Sequence, residues 1–148
     1  MRELPRQLSA DELAPLFSGR TPLVERLAQH EDPLGRASDV VDELSEEEKI
    51  EALNAHPAIG ASNLSARSAA EQGTDADPQV LEELARLNAE YERRFGFRFV
   101  VFVNRRPKAA ILDVLRARLA NNREQELETA LDEMLAIARD RLRTLTAP

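Results

Sequence analysis

The stretch Phe97-Arg-Phe-Val-Val-Phe-Val103 decides the fold class, because it alone in the chain has the residue types of a β-strand. No second stretch offers a partner strand, and a lone strand would leave its backbone amides and carbonyls unpaired. We therefore predict an all-α fold, a single compact helical domain, in which residues 97–103 form a buried extended segment. This segment is expected to line a pocket and to contain at most one helical turn.

Helical patterns lie on both sides of this segment. Residues 77–96 begin with Asp-Pro, carry an apolar stripe and end at a glycine, as many helices do. Residues 107–122 again place apolar side chains at helical spacing, and a last helix is predicted from about residue 124 to residue 145.

The N-terminal half carries clear helix start signals. Ser9 and Ser45 each stand three residues before a glutamate, which is the capping-box pattern, and Thr21 precedes a proline at a first helical position. The helix after Ser45 is expected to end near His56, since Pro57 disfavours the α conformation in the residue before it.

Two stretches are predicted to be irregular. Residues 31–36 are expected to form a short connector. Residues 57–79 contain glycines, prolines and serines but no long apolar stripe. A long irregular stretch inside a compact domain is usually either functional or disordered.

The bulk composition excludes several classes of protein. A net charge of −7 leaves no basic face for a nucleic-acid backbone, so nucleic acid is not an expected partner. The absence of cysteine excludes disulfides, thiolate metal sites and thiol catalysis. No apolar run reaches membrane-spanning length and no signal-peptide core is present, so we expect a cytoplasmic protein without membrane contact. A length of 148 residues fits one domain, predicted over residues 1–148.

Only two histidines are present, and they differ in context. His30 lies in a polar Gln-His-Glu-Asp stretch and is interpreted as a surface residue. His56 lies at a helix end that faces the irregular stretch, where the helix C-terminus favours a charged imidazole. It is either an acid/base residue or an ordinary helix cap.

The segment Ser68-Ala-Ala-Glu71-Gln72 also matches the capping-box pattern. The simplest interpretation is the start of another helix. However, Gly73 follows at once and no apolar run appears before Val80. The hydroxyl, carboxylate and amide of this segment are alternatively suited to bind a small polar ligand.

Arg141 is the clearest anomaly of the last predicted helix. It falls in phase with the apolar stripe of that helix, where a guanidinium is costly unless it is paired. One interpretation is a side chain that extends to water near the helix end. The other is a buried guanidinium that binds an anionic substrate or a carboxylate of the protein.

Common catalytic motifs are missing from the sequence. It contains no glycine-rich phosphate loop, no His-Glu-x-x-His and no Gly-x-Ser-x-Gly, and two separated histidines make a transition-metal site improbable. From the residues alone we predict a small helical domain with a pocket that contains a histidine, a glutamate and an arginine.

Several short motifs occur in a fixed order along nearly the whole chain. In sequence order they are His56-Pro57-Ala58-Ile59-Gly60, Ser68-x-x-Glu71-Gln72, Leu87-Asn88-x-x-Tyr91, Phe95-Gly96-Phe97-x-Phe99-Val100-Val101, Arg118-Leu119-x-Asn121, Glu126 and Ile137-Ala138-x-x-Arg141-Leu142. In this combination the chain resembles the 2-oxo-4-hydroxy-4-carboxy-5-ureidoimidazoline (OHCU) decarboxylases, the last enzymes of the route from urate to (S)-allantoin.

The resemblance implies an all-α homodimer that acts on OHCU with no metal and no organic cofactor. It implies that His56, Glu71 and Arg141 are the catalytic residues. The substrate contacts it implies are Pro57, Ser68, Glu71, Gln72, Phe99, Val100, Val101, Phe102 and Val103. A substrate contact through backbone groups would explain why residues 97–103 are extended without a sheet.

The chain departs from the family pattern at three places. After Gln72 it is shorter than usual, and Gly73-Thr-Asp-Ala-Asp77 replaces the common Ala-Gly-Leu. Arg98 stands where a proline is common, and Asn104 stands where an arginine is common. The geometry of the pocket rim is therefore expected to differ.

The resemblance also implies a mechanism. The carbon of OHCU that loses carboxylate neighbours a C=N bond, so the substrate supplies its own electron sink. His56 is expected to deliver a proton to one face of C5, since an ordinary imidazole pKa of about 6.5 suits neutral pH. Glu71 is expected to bind the hydroxyl and orient the imidazole. Arg141 is expected either to hold a substrate oxygen or to position Glu71.

Two other functions are compatible with the same residues. The first is a non-catalytic helical dimer whose motif residues only cap helices. The second is a related enzyme that acts on another ureido acid.

Overall fold

The structure is a computed structural model and describes residues 8–56 and 78–146. The described residues form seven α-helices, in chain order α1 (Ala10–Leu13), α2 (Pro22–Leu27), α3 (Ala37–Glu43), α4 (Glu46–Asn54), α5 (Pro78–Phe95), α6 (Lys108–Arg118) and α7 (Arg123–Thr146). A 3-10 turn, Ala14–Phe17, follows α1 directly. The predicted all-α fold class is confirmed, since no strand occurs in these two ranges.

The three residues predicted to start helices are N-cap residues in the structure. The hydroxyl of Ser9 accepts from the Glu12 amide at 3.1 Å, and the Glu12 carboxylate accepts from the Ser9 amide at 3.0 Å. The same reciprocal pair forms at Ser45 at the start of α4. Thr21 caps α2 by accepting from the Val24 amide at 3.5 Å. Each cap satisfies an amide that has no partner inside the helix.

Helix α3 was not predicted from the sequence. Its N-cap residue, Arg36, makes no side-chain hydrogen bond to the helix. Ala37, Val40 and Val41 are buried, and α3 packs against α2 and α7. Tertiary packing rather than a local signal therefore holds this short helix.

Two helix ends were also predicted correctly, whereas the helix predicted over residues 107–122 ends at Arg118. Helix α4 ends at Asn54, and the His56 amide still donates to Leu53 O at 3.1 Å in the turn that follows. Helix α5 ends at Phe95, and Gly96 then adopts φ +82°, a left-handed conformation that costs glycine little.

The segment after Gly96 is extended, as predicted, and it contains no helical turn. Most of its apolar side chains are buried, namely Phe97, Phe99, Val100, Val101 and Val103, whereas Phe102 is half-buried. The ring of Tyr91 on α5 packs against Phe97 and Phe99, with centroids 5.9 and 5.3 Å away. The side chains of this segment are therefore held by aromatic packing against α5.

A buried ion pair holds the extended segment from its other side. Arg118 at the end of α6 donates from Nε to Glu126 on α7 at 2.8 Å and from Nη1 to Val100 O at 2.8 Å. Its guanidinium lies 4.7 Å from the centre of the Phe99 ring. The hydroxyl of Tyr91 donates to the same Glu126 oxygen at 2.5 Å. The charges are thus paired, which a buried arginine and glutamate require.

Helix α7 packs against more of the other elements than a peripheral helix would. It packs against the 3-10 turn and against α3, α4 and α5. Its apolar stripe, which includes Leu131, Met134 and Ala138, is buried, and Arg141 continues that stripe. Within the described ranges, no helix is long and apolar enough to cross a membrane.

Candidate active site

His56 offers a basic nitrogen to the protein interior. Its Nδ1 bonds to Ala52 O at 3.2 Å, and because a carbonyl only accepts, Nδ1 carries the proton. Nε2 is therefore left with the lone pair. The residue is 4% exposed, and Nε2 is buried with no hydrogen-bond partner in the part of the chain that the structure describes.

The surroundings keep this imidazole neutral. Burial lowers the pKa of His56 to about 4, and the positive charges of Arg141 and, to a smaller extent, Arg98 act in the same direction. The backbone hydrogen bonds with Ala52 and Leu53 raise the pKa but are outweighed. The sequence predicted a helix end that favours the charged form and an ordinary pKa. The helix end does favour the charged form, because the hydrogen bonds with Ala52 and Leu53 raise the pKa. The expected ordinary pKa is wrong, because burial lowers the pKa by more.

Arg141 is buried at the far end of α7. It is 4% exposed, and its Nη1 donates to Pro15 O at 3.0 Å, to Leu16 O at 3.3 Å and to the Ser18 hydroxyl at 2.8 Å. The interpretation in which this side chain extends to water is therefore wrong. These three acceptors are neutral groups, and together they fix the position of the guanidinium.

The structure brings His56 and Arg141 into one neighbourhood. Helix α4 packs against α7, and the charge of Arg141 reaches the imidazole strongly enough to lower its pKa. A neutral base beside a positively charged guanidinium can bind an anion and accept a proton from it. His30, in contrast, lies partly exposed in the turn after α2, which agrees with its predicted surface location.

Several predicted site residues lie outside the described residues. They are Pro57, Ser68, Glu71 and Gln72, together with the remainder of residues 57–77. The predicted catalytic carboxylate and the predicted Ser-to-Gln loop therefore stay predictions.

The extended segment already uses part of its backbone within the protein. The amide of Phe102 donates to the Glu133 carboxylate at 3.1 Å. Arg106 donates from Nη2 to Phe102 O at 2.5 Å and from Nε to Val103 O at 3.0 Å. A substrate that contacts these groups must share or replace those bonds. The backbone of Val100 is likewise used, by Arg118. The predicted substrate contacts of residues 99–103 stay a prediction.

An open groove of about 570 Å³ lies beside the end of α4. It includes neither His56 nor Arg141, so we do not place the reaction there. The lining residues are Gly19, Arg20, Thr21, Glu47, Ile50, Glu51, Asn54 and Ala55.

Sequence reasoning missed two residues that contact the candidate catalytic pair. Arg98 donates from Nη1 to His56 O at 2.7 Å, although the sequence marked it only as a departure from a common proline. Ser18 accepts from Arg141, and no pattern in the sequence singled it out. Both contacts join residues far apart in the chain, so no local spacing could reveal them.

Comparison with known proteins covers most of the chain. Residues 2–143 match the family model described as OHCU decarboxylase. The chain is 29% identical over 96% of its length to the uric acid degradation bifunctional protein PucL of Bacillus subtilis. It is 32% identical over 75% of its length to a 2-oxo-4-hydroxy-4-carboxy-5-ureidoimidazoline decarboxylase of Halalkalicoccus jeotgali. The matches cover 31% and 66% of these relatives, so the chain spans less than two thirds of either.

A solved structure has the same fold. It is described as OHCU decarboxylase in the presence of (S)-allantoin, and it superposes with a TM-score of 0.77 at 26% sequence identity. The superposition covers 91% of this chain and 96% of that one. The similarity therefore extends over most of the chain.

Proposed function

The chain belongs to the OHCU decarboxylase family, and from this premise we propose that it converts OHCU to (S)-allantoin and carbon dioxide in urate degradation. As a carboxy-lyase it would work without a metal or organic cofactor. The observation that carries the proposal is the buried, unpartnered Nε2 of His56 beside the charge of Arg141.

In this proposal His56 acts first as a base and then as an acid. The neutral Nε2 accepts the proton of the ring hydroxyl, and the resulting imidazolium returns that proton to one face of C5. The sequence assigned only proton delivery to His56. A pKa of about 4 in the ligand-free protein adds the earlier step, since a neutral imidazole has to receive a proton before it can donate one.

The bond changes balance without an electron acceptor in the protein. The bond between the carboxylate carbon and the ring breaks, carbon dioxide leaves, and the electron pair moves into the neighbouring C=N bond. The ring nitrogen that receives the pair takes up a proton from solvent. The hydroxyl becomes a carbonyl as its proton passes through His56 to C5.

Arg141 supplies the positive charge for this reaction. We assign its guanidinium to an anionic oxygen of the substrate, because it is a buried cation that lies beside His56 and is held in place by Pro15, Leu16 and Ser18. A bound anion also offsets the effect of Arg141 on His56. The pKa of the imidazole therefore rises when substrate binds, which favours the proton transfer that the mechanism needs.

The remaining contacts are proposed from the family resemblance. Glu71 binds the substrate hydroxyl and orients the imidazole. Pro57, Ser68, Gln72 and the backbone of residues 99–103 complete the substrate site. The single domain over residues 1–148, the homodimer and the cytoplasmic location are likewise proposals that rest on the sequence.

The test is turnover of freshly prepared OHCU, followed by the optical rotation or circular dichroism of the product. The wild-type protein is expected to form (S)-allantoin faster than spontaneous decay and with one handedness. His56→Asn is expected to abolish this acceleration, whereas His30→Asn removes the other histidine of the chain and leaves turnover unchanged.

Two results would contradict the proposal. Stereospecific turnover by a folded His56→Asn variant would remove His56 from the mechanism. Wild-type protein that does not accelerate OHCU decay would point to the non-catalytic alternative. If a neighbouring ureido acid is turned over in its place, the related enzyme is the correct assignment.

A further inference from the structure

Arg98 joins the extended segment to the end of α4. Its Nη1 donates to His56 O at 2.7 Å and to Asn54 O at 3.2 Å, and its backbone amide donates to Asn54 Oδ1 at 2.9 Å. The carbonyls at a helix C-terminus have no partner within the helix. Arg98 thus supplies donors to the turn that carries the candidate catalytic histidine.

His56 is consequently held at two points. The ring is bonded through Nδ1 to Ala52 O, within its own helix, and the backbone carbonyl is bonded to Arg98, from a segment 42 residues later in the chain. A change at either point moves the peptide plane of His56 and with it the direction of Nε2. Only the second point depends on the side chain of another residue.

The geometry of the guanidinium favours a fixed position for Arg98. Its side chain is 33% exposed, with Nε 3.9 Å from a carboxylate oxygen of Glu92. Nε is buried and makes no hydrogen bond to the residues described, so the donors of Nη1 are the ones that fix the side chain. Two short donations to carbonyls suit a planar guanidinium better than a flexible ammonium.

We propose that Arg98 is a positioning residue for His56, which sets the direction of Nε2 by binding the His56 carbonyl. The catalytic meaning of this inference rests on the proposed function. A proline at this position, which is common in the pattern that the chain resembles, would supply neither the guanidinium nor the backbone N–H. This chain therefore holds its histidine turn by a contact of its own.

The charge of Arg98 adds to the geometric effect. It acts on His56 in the same direction as Arg141 and lowers the pKa of the imidazole. A residue that only capped α4 would hold the helix without affecting the imidazole. This difference provides readouts that separate positioning from helix capping.

The kinetic test compares Arg98→Met, Arg98→Lys and the control Arg93→Met. Arg93 is exposed on α5, so its loss removes the same charge without the contact. Arg98→Met is expected to lower kcat by about tenfold or more, with KM changed by less than about twofold, because a misplaced base slows chemistry more than binding. Arg98→Lys is expected to recover part of the loss, and Arg93→Met is expected to behave as the wild type.

The second test needs no substrate. The chain has two histidines, so the imidazole spectrum contains one signal set for His56 and one for His30 as an internal reference. Arg98→Met is expected to move the His56 signals and to raise the pKa of His56, and to leave the His30 signals in place. Arg98→Ala, which also removes both the charge and the contact, serves the same test if Arg98→Met does not fold.

The outcomes separate this inference from the proposed function. Unchanged His56 signals in a folded Arg98→Met or Arg98→Ala variant overturn the inference, and so does a kcat within about twofold of wild type in Arg98→Met. If the wild-type protein does not act on OHCU, the proposed function fails, whereas the imidazole signals still decide whether Arg98 positions His56.

Discussion

The guanidinium of Arg141 and the hydroxyl of Ser18 are joined by a 2.8 Å hydrogen bond across 123 residues of the chain. Ser18 follows the 3-10 turn and has a backbone φ of 60°, a left-handed conformation that residues other than glycine rarely adopt. The N-terminal turn is therefore part of the candidate site, because it holds the cation that lies beside His56.

We expect Ser18→Ala and Ser18→Gly to separate the hydrogen bond from the backbone conformation. Both variants lose a bond to a charged group, worth about 1.5–3 kcal/mol. Glycine recovers the left-handed cost of roughly 1–2 kcal/mol, so Ser18→Gly should be more stable than Ser18→Ala. Thermal denaturation measures this order.

Both Ser18 variants should also turn over OHCU more slowly, since Arg141 loses one of its fixed acceptors. Full kcat in both variants would show that the other contacts of Arg141, among them the Pro15 and Leu16 carbonyls, hold the guanidinium without the hydroxyl. In that case the hydroxyl has no part in the site.

The pH dependence of kcat/KM tests whether His56 begins the reaction as a base. This parameter reports groups of the free enzyme, in which the pKa of His56 is about 4. We expect kcat/KM to hold steady from neutral pH down to about 5 and then to fall as the imidazole becomes protonated. A fall centred near the ordinary value of 6.5 would contradict this assignment.

The same pKa predicts how stability depends on pH. The unfolded chain binds a proton on His56 below about 6.5, whereas the folded protein binds it only below about 4. The contribution of His56 to the free energy of unfolding is therefore fully present above pH 6.5 and is lost as the pH falls from 6.5 to 4. The full loss amounts to about 3 kcal/mol.

Urea denaturation at neutral pH and near pH 4 measures this loss in wild type and in His56→Asn. The variant lacks the group, so its stability should decrease less between the two pH values. An equal decrease in both proteins would mean that His56 is not protonated more readily in the unfolded chain.

The buried pair of Arg118 and Glu126 predicts a large stability effect. The side chains are 7% and 0% exposed, so Glu126→Gln or Arg118→Met leaves a charge buried without its partner. Each change should cost about 3–5 kcal/mol of unfolding free energy. The double variant should lose clearly less than the sum of the two, which a double-mutant cycle measures.

Arg86 and Glu83 on α5 provide the matched control for this cycle. Their side chains are 61% and 30% exposed, and solvent weakens such a pair to between 0 and about 1 kcal/mol. Similar coupling energies in the two cycles would show that burial does not strengthen the Arg118–Glu126 pair.

Much of the fold was predictable because its signals are local. Capping boxes at Ser9 and Ser45 involve residues three positions apart, and Gly96 ends a helix by its own backbone conformation. The phase of Arg141 follows from helical periodicity alone. The extended segment was predictable from residue types and from the lack of a partner strand.

The sequence by itself thus indicated the fold class, several of the helix starts and ends, and the candidate catalytic residues. Only the tertiary structure decided the partners of Arg141, the contact of Arg98 with His56 and the lowered pKa of the imidazole. The physical reason is distance along the chain. Caps and periodicity act within a few residues, whereas these contacts join residues 42 to 126 positions apart, and burial exists only once the helices have packed.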